Sequence, residues 1–184
     1  MRSSAPLSYH LDFYRYWLAK RGSQAMPARH GIDPTEIPAL LPYLGIIERA
    51  GGELRYRLMG TSLVQQLGFD ATGGVVGSYI RAGKALRATV ELVCTAASPV
   101  FNTGSYEFEP GLLHRSSVLL LPLSEDGVAV NMIIFVRIVR FHPYGWASRD
   151  WLKNASVRIG KPVLIQDSDH LETIIAGWEQ VCPA

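Results

Sequence analysis

Few of the residue types that carry out chemistry are spaced for it in this chain. The two cysteines, Cys94 and Cys182, lack the short spacing of metal ligands. No Gly-x-Ser-x-Gly, Walker loop or His-Glu-x-x-His motif is present, and the glycines of residues 73–77 lack the strand-then-helix setting of a phosphate loop. The sequence therefore predicts no metal site and no catalytic residue, and we expect a protein that is not an enzyme.

Carboxylates leave one enzymatic alternative open. An α+β fold with an internal pocket can host chemistry of the ketosteroid isomerase type, in which a buried Asp or Glu removes a proton next to a carbonyl group. Glu107 and Glu109 share one face of a predicted strand, opposite Tyr106 and Phe108. Successive strand residues point to opposite faces, so we expect these carboxylates to face water. The isomerase reading is a minor alternative.

Composition and charge argue against several other classes. The chain has 184 residues, of which 48% are hydrophobic and 18% charged, which suits one buried core rather than two ordinary domains. Its net charge of +2 comes from scattered basic residues and does not indicate a nucleic-acid surface. No stretch reaches the roughly 18 consecutive apolar residues of a membrane span. We expect a cytoplasmic protein that binds neither nucleic acid nor a membrane.

The N-terminal segment, residues 1–43, is predicted to be helical and to pack on a sheet. Residues 9–21 have the pattern of an amphipathic helix. Its apolar face consists of Leu11, Tyr14 and Leu18, with Trp17 beside them. A second, short helix is predicted to begin at Asp33, whose carboxylate can cap it ahead of Pro34.

Residues 44–140 are predicted to form an α+β core of five strands. Two strands come first, then two helices, then three strands, with glycine-containing turns between neighbouring strands. The predicted strands are 45–49, 54–59, 100–109, 113–123 and 128–140, and the predicted helices are 61–67 and 84–97. The last strand has large apolar side chains on both faces, so the outer face of the sheet needs a cover.

Several separated motifs also follow one another in a distinctive order. They are Trp17 with Lys20-Arg21-Gly22, Pro27-Ala28-Arg29, Ile32-Asp33-Pro34, Leu40-Leu41-Pro42, Tyr56-Arg57-Leu58 with Gly60-Thr61, Gly68, Gly73, and Leu121-Pro122-Leu123. Over residues 9–140 the chain resembles a family of bacterial stand-alone PAS-domain proteins. The resemblance implies a PAS-like five-stranded antiparallel sheet that wraps a pocket closed by the middle helices. An N-terminal amphipathic helix and a C-terminal extension, residues 141–184, complete the expected architecture.

The same resemblance implies a regulatory or sensory module of bacterial signal transduction with no output domain of its own. We expect it to bind a small apolar or amphipathic ligand, a protein partner for output, or both. The Asn-Cys-Arg-Phe motif of flavin photoreceptors is absent, and Cys94 is expected to be a small buried hydrophobe. No histidine lies in the middle helices, where haem-binding relatives carry the axial ligand, and His114 is expected to face solvent from a strand. No cofactor is predicted.

A ligand pocket would be lined by apolar side chains with a few convergent polar groups. The predicted ligand-binding residues are Tyr56, Leu58, Leu63, Leu67, Phe69, Tyr106, Phe108, Ser117, Leu119, Met132 and Ile134. Each of them also suits a filled core, in which case the protein is a dimerising interaction adaptor. Arg57, together with Arg29, is predicted to hold Asp33 through charge-assisted hydrogen bonds.

Two apolar helices point to a homodimer. A C-terminal helix is predicted near residues 169–181, with Asp169 and Glu172 as its capping residues. Its apolar stripe consists of Leu171, Ile174, Ile175, Trp178 and Val181. Exposed apolar helices seldom stay exposed, so we expect a second copy to cover this helix and the N-terminal one. The alternative is that both helices fold back on their own core.

Overall fold

A curved antiparallel sheet of seven strands lies at the centre of the computed structural model, which describes residues 8–107, 113–140 and 156–181. The strands are β1 (Leu44–Ala50), β2 (Glu53–Met59), β3 (Val100–Glu107), β4 (Leu113–Leu123), β5 (Met132–Arg140), β6 (Ser156–Ile159) and β7 (Val163–Leu164). Their order is β2-β1-β5-β4-β3-β6, and β7 also pairs with β3. The α+β class is confirmed, and β6 and β7 extend the five predicted strands.

Helices cover both faces of this sheet. They are α1 (Ser8–Arg21), α2 (Thr61–Leu67), α3 (Gly83–Ala96) and α4 (Ser168–Val181). The two middle helices, α2 and α3, lie over the inner face, while α1 and α4 lie over the outer face. Short 3-10 turns at Arg29–Gly31, Pro34–Glu36 and Leu41–Tyr43 connect α1 to β1. None of the described helices has the length and apolar composition needed to cross a membrane.

Helix α1 is held to the outer face by aromatic packing and hydrogen bonds. Its buried residues are His10, Phe13, Tyr14 and Trp17. The Trp17 indole Nε1 donates a hydrogen bond of 2.9 Å to the carbonyl of Pro122 on β4. Leu11 and Leu18, which were predicted for the buried face, are half-buried. The contact with the sheet is centred nearer Phe13 and Trp17, so the predicted face is rotated from the observed one.

The β1–β2 hairpin follows the predicted turn. Gly51 and Gly52 have φ angles of +59° and +81°, in the left-handed region that glycine enters without steric cost. Across the hairpin, Arg57 Nη1 donates to Glu48 Oε2 at 2.7 Å. Arg57 is therefore occupied within its own hairpin.

The predicted clamp on Asp33 is wrong. The Asp33 carboxylate instead accepts from the backbone N–H and the hydroxyl of Thr35, at 2.9 and 2.8 Å, and so caps the 3-10 turn that follows. Its backbone N–H donates to the Tyr16 hydroxyl at 2.8 Å. These contacts attach the connecting segment to α1 without an arginine.

The loop before β5 explains why that strand begins at Met132 and not at residue 128. The Asp126 carboxylate accepts from the backbone N–H groups of Val128 and Ala129, at 2.9 and 3.1 Å, and from the Ser124 hydroxyl. These bonds hold the preceding residues in a turn, which cannot pair as a strand.

Strand β3 ends at Glu107, and the predicted strand residues 108–109 lie outside the described residues.

The segment after residue 155 adds to the sheet and to the core. Strand β6 pairs with β3, with Ile159 opposite Gly104. Helix α4 packs against α1, and its Leu171 and Ile175 are buried in the main core. Both α1 and α4 therefore fold back on their own chain. The argument for a homodimer from uncovered helices loses its premise, and the assembly stays a prediction.

The start of α4 is capped by a different residue from the ones predicted. Asp167, just before the helix, accepts a hydrogen bond of 2.8 Å from the backbone N–H of His170. Asp169 lies in the first turn instead, where its charge favours the helix dipole.

Candidate functional site

An inner cavity of about 100 Å³ lies between the sheet and the middle helices. Strands β1 to β6, both middle helices and the segment before α3 contribute to its wall. Most of the wall is apolar, with aromatic rings from β2, β3 and β5. A cavity of this kind is the usual form of a small-molecule site.

Four of the predicted ligand-binding residues lie on the wall of this inner cavity. They are Tyr56, Leu63, Leu67 and Tyr106. Phe69 does not line the cavity but lies behind the wall. Its ring packs edge-on against Tyr79 of the wall, with 5.0 Å between the ring centroids. Phe108 lies outside the described residues.

The other predicted residues point away from the cavity. Ser117, Leu119, Met132 and Ile134 lie on the outer face of the sheet, and Leu58 is 43% exposed on β2. The inward residues of β4 are Ser116, Val118 and Leu120. The prediction for β4 and β5 was thus out of phase by one residue, which moves every side chain to the opposite face. Both faces of these strands are apolar, so the sequence has no alternation of polar and apolar residues that would show which side chains point into the cavity.

Asn102 is a buried polar group of the wall that sequence reasoning missed. Its side chain is 3% exposed on β3, and its Nδ2 donates to the Thr89 hydroxyl of α3 at 3.0 Å. Thr89 in turn donates to the carbonyl of Ala85 at 3.0 Å, which sets the orientation of the amide. Asn102 Oδ1 is buried and has no donor among the described residues. Asn102 lies four residues before Tyr106 on the same strand, so both side chains are on one face. This spacing could have predicted that Asn102 lines the cavity with Tyr106.

Arg137 of β5 is the positive charge among the described residues of the wall. Its Nη1 donates to Oε1 of the buried Gln66 on α2 at 3.2 Å, and its Cζ lies 5.2 Å from the centroid of the Tyr106 ring. The ion pairs of the described residues use other basic side chains, so no carboxylate there neutralises Arg137. A half-buried positive charge beside an apolar cavity is costly unless an opposite charge pairs with it. Arg137 was not among the predicted ligand-binding residues. Strand alternation places it on the same face as Phe135 but does not show that this face lines a cavity.

Tyr56 supplies a hydroxyl that stays protonated. The side chain is half-buried, and desolvation by the surrounding wall raises the pKa of Tyr56 to about 12, against the opposing charge of Arg137. At neutral pH the phenol is therefore available as a hydrogen-bond donor.

The floor of the cavity depends on a close approach between β1 and β5. Phe135 lies directly across from Gly45, and a methyl group at Gly45 would overlap its ring. The ring also packs edge-on against Tyr56, with 6.5 Å between centroids. Gly45 therefore sets the position of the aromatic floor.

The described residues offer little for metal or acid–base chemistry at this site. They contain no cluster of three or more His, Cys, Asp or Glu that could hold a metal ion. Cys94 is not part of the wall, and burial raises the pKa of its thiol, which disfavours the reactive thiolate. His114 is buried rather than facing solvent, on the strand pair next to Tyr106, which corrects its predicted exposure.

A second depression, the outer groove, lies between the 3-10 turns of residues 34–43 and strands β1 and β2. It measures about 480 Å³ and is lined mainly by apolar side chains. Two of them are exposed large hydrophobics, Leu41 at 38% and Leu58 at 43%. The inner cavity is smaller but holds the buried polar groups that orient a ligand, so we take it as the candidate binding site.

Comparison with protein families identifies a match. A family model described as a PAS domain matches residues 7–134, from the start of α1 into β5. No curated protein matches the chain. The matched segment includes both middle helices and most of the cavity wall.

Proposed function

The chain belongs to the PAS domain family, and we propose that it is a regulatory module of bacterial signalling that binds a small molecule in the inner cavity. In this proposal the occupied cavity changes the affinity of the module for a separate protein that carries the output. Such a change requires that the ligand binds two states of the module with different affinities. We expect it to act in the cytoplasm.

One observation supports this proposal above the others: the mainly apolar cavity wall also carries a cation, Arg137, and a buried amide, Asn102. Asn102 Oδ1 lacks a donor and Arg137 lacks a carboxylate among the described residues. Unsatisfied buried polar groups are rare in folded proteins and often mark a site where a ligand or water binds. A core kept only for stability would be expected to satisfy or exclude such groups.

The cavity volume restricts the ligand. Drug-sized ligands occupy pockets of about 300–1,000 Å³, whereas an engineered apolar cavity of about 150 Å³ holds benzene. A volume of about 100 Å³ therefore fits a molecule no larger than benzene unless the helices move. Tyr56, Tyr106, Leu63 and Leu67 are the proposed ligand contacts among the residues predicted from the sequence.

The direct test is native mass spectrometry of the purified protein, compared with the same sample after denaturation. Under the proposal, a small molecule is retained in the native protein and lost on unfolding. The variant Val118→Phe places a larger side chain on the cavity wall and is expected to abolish the retained mass. Val128→Phe is the matched control, because Val128 is exposed in a loop.

Retention that is equal in wild type and Val118→Phe would refute binding in the cavity. If the native protein carries no added mass, a benzene-sized probe is added and its effect on the NMR chemical shifts of the cavity wall tests whether the cavity binds a small molecule. Probe-induced shifts at the cavity wall in Val128→Phe but not in Val118→Phe support the proposal, and no shifts at the wall in either variant reject it.

A second candidate function is a dimerising adaptor. The observation that favours it is the outer groove, where Leu41 and Leu58 present apolar surface that a second copy could cover. Analytical ultracentrifugation of wild type and Leu58→Glu tests it. A dimer that dissociates in the variant supports the adaptor, and a monomer at high concentration in both rejects it.

The isomerase alternative finds no support at the cavity. The wall contributed by described residues contains no Asp or Glu that could act as a base. Glu107 is half-buried on the strand face opposite Tyr106, and Glu109 lies outside the described residues. We do not propose this reaction.

A further inference from the structure

We propose that the ligand of the inner cavity is a short aliphatic carboxylate whose negative group pairs with Arg137. This inference rests on the proposed function and names the chemical class of its ligand. It follows from the charge, the hydrogen bonds and the volume of the site.

The charge of the wall selects an anion. Arg137 is the cation of the described cavity wall, and no described Asp or Glu lies on that wall. A guanidinium presents its positive charge on a planar fork of N–H donors that matches the geometry of a carboxylate. A ligand carboxylate would neutralise it within the low-polarity cavity, where the interaction is stronger than in water.

The guanidinium also keeps donors for such a group. One N–H, on Nη1, is engaged by the Gln66 amide oxygen at 3.2 Å, and one face of the plane is covered by the Tyr106 ring. No described residue accepts a hydrogen bond from Nε or Nη2. Carboxylates accept two parallel N–H bonds from one guanidinium, and such bonds are about twice as strong as neutral ones.

The amide of Gln66 connects this ligand to the middle helices. Gln66 is buried on α2 and its contact with Arg137 at 3.2 Å is longer than a typical N–H···O bond. A carboxylate is the stronger acceptor and would compete for the guanidinium. Loss of the Gln66 bond would remove a polar contact between α2 and β5, which provides two arrangements of the Gln66 side chain that a ligand can bias.

The volume of the cavity limits the rest of the ligand. About 100 Å³ accommodates roughly the six non-hydrogen atoms of benzene or of butyrate. The apolar wall suits a short alkyl chain, and the Tyr56 hydroxyl can donate to the second carboxylate oxygen.

The test compares butyrate with butyramide, which has the same size and no charge. Each is titrated into the ¹⁵N-labelled full chain at constant ionic strength, and backbone shifts are mapped on the structure. We expect butyrate to bind at least tenfold more tightly than butyramide, with the largest shifts around Arg137, Gln66 and Thr89. The expected ratio follows from replacing a hydrogen bond between the guanidinium and a neutral amide oxygen by a two-point ion pair with a carboxylate.

Variants locate the charge that is responsible. Arg137→Gln is expected to remove the preference for butyrate, and Arg137→Lys to retain part of it. Arg15→Gln is the matched control, because Arg15 is an exposed cation on α1, on the other side of the sheet. Should Arg137→Gln fail to fold, the wild-type comparison of the two ligands and Arg137→Lys still decide the outcome.

The outcomes separate the two proposals. Equal affinity for butyrate and butyramide, both binding at the cavity, overturns the carboxylate inference and leaves the ligand-binding function standing. Butyrate shifts that fall outside the cavity, or that persist unchanged in Arg137→Gln, also overturn it. If the native protein carries no added mass, and butyrate, butyramide and benzene all leave the cavity resonances unchanged, the proposed function itself fails.

Discussion

The buried histidine that joins α1 to the sheet should make the stability of this protein sensitive to mild acid. His10 is 0% exposed, and its Nε2 is hydrogen-bonded to the Ser117 hydroxyl of β4 at 2.8 Å. Its Nδ1 is buried without a partner among the described residues. An unpaired acceptor is tolerated better than an unpaired donor, so we assign the proton to Nε2.

Burial lowers the pKa of His10 to about 3, from 6.5 in the unfolded chain. Above pH 6.5 both states are neutral and His10 adds no pH dependence. Below that value the unfolded chain binds a proton that the folded protein does not, so stability falls as the pH decreases from about 6.5 to about 3. At pH 5, about 1.5 units below 6.5, the loss is about 2 kcal/mol relative to pH 7.

The assay is urea unfolding of wild type and His10→Gln at pH 7 and pH 5. Glutamine can keep a hydrogen bond to Ser117 but does not titrate. With an m-value of about 2 kcal/mol/M, the His10 contribution corresponds to a midpoint about 1 M lower at pH 5. The other histidines and all carboxylates are common to both proteins, so the difference between the two pH shifts isolates His10.

Equal losses of stability in wild type and His10→Gln between pH 7 and pH 5 would refute this reasoning. That result would mean that His10 is protonated in the folded protein, or that α1 detaches before the sheet unfolds. The chain has four tryptophans, so the fluorescence of Trp17 is obtained as the difference between the wild type and Trp17→Phe. This difference and far-ultraviolet circular dichroism distinguish the two explanations, because detachment of α1 changes the first probe earlier.

Three other perturbations have defined outcomes. Gly45→Ala should lower stability by about 1–3 kcal/mol in thermal unfolding, because the new methyl group displaces the Phe135 ring, whereas Gly31→Ala meets open space and should stay within about 0.5 kcal/mol. Trp17→Phe should cost about 1–3 kcal/mol in urea unfolding, since a buried carbonyl of β4 loses its donor, and an unchanged midpoint would contradict the assigned hydrogen bond. The pKa of Asp126 should be found near 2 by NMR titration, because three hydrogen bonds favour its carboxylate. Its contribution to stability should be present above about pH 4 and disappear as the pH falls toward 2, and a pKa near 4 would show that the loop is open.

Local sequence signals predicted most of the secondary structure. The paired glycines of the β1–β2 turn, the Asp33 cap and the glycines that end elements each act through the backbone of a few neighbouring residues. Such signals are complete in the sequence and do not depend on the fold. The order of elements and motifs was sufficient for the family resemblance as well.

The phase of the strands was not predictable in the same way. Strands β4 and β5 carry large apolar side chains on both faces, because one face packs on α1 and the other surrounds the cavity. Alternation reveals the inward face only where one side is polar. Ser117, Leu119 and Ile134 were assigned to the cavity for this reason, and they face α1 and the outer groove instead.

The family resemblance, the order of the first five strands and the glycine turn between β1 and β2 could be predicted from the sequence, because motif order and local backbone signals specify them. The site was decided by tertiary structure alone. Asn102 on β3 and Arg137 on β5 are brought to one wall by strand pairing through β4, and Gln66 reaches it from α2. Whether a polar side chain is satisfied depends on those distant partners, and the volume left between helices and sheet depends on all of them together.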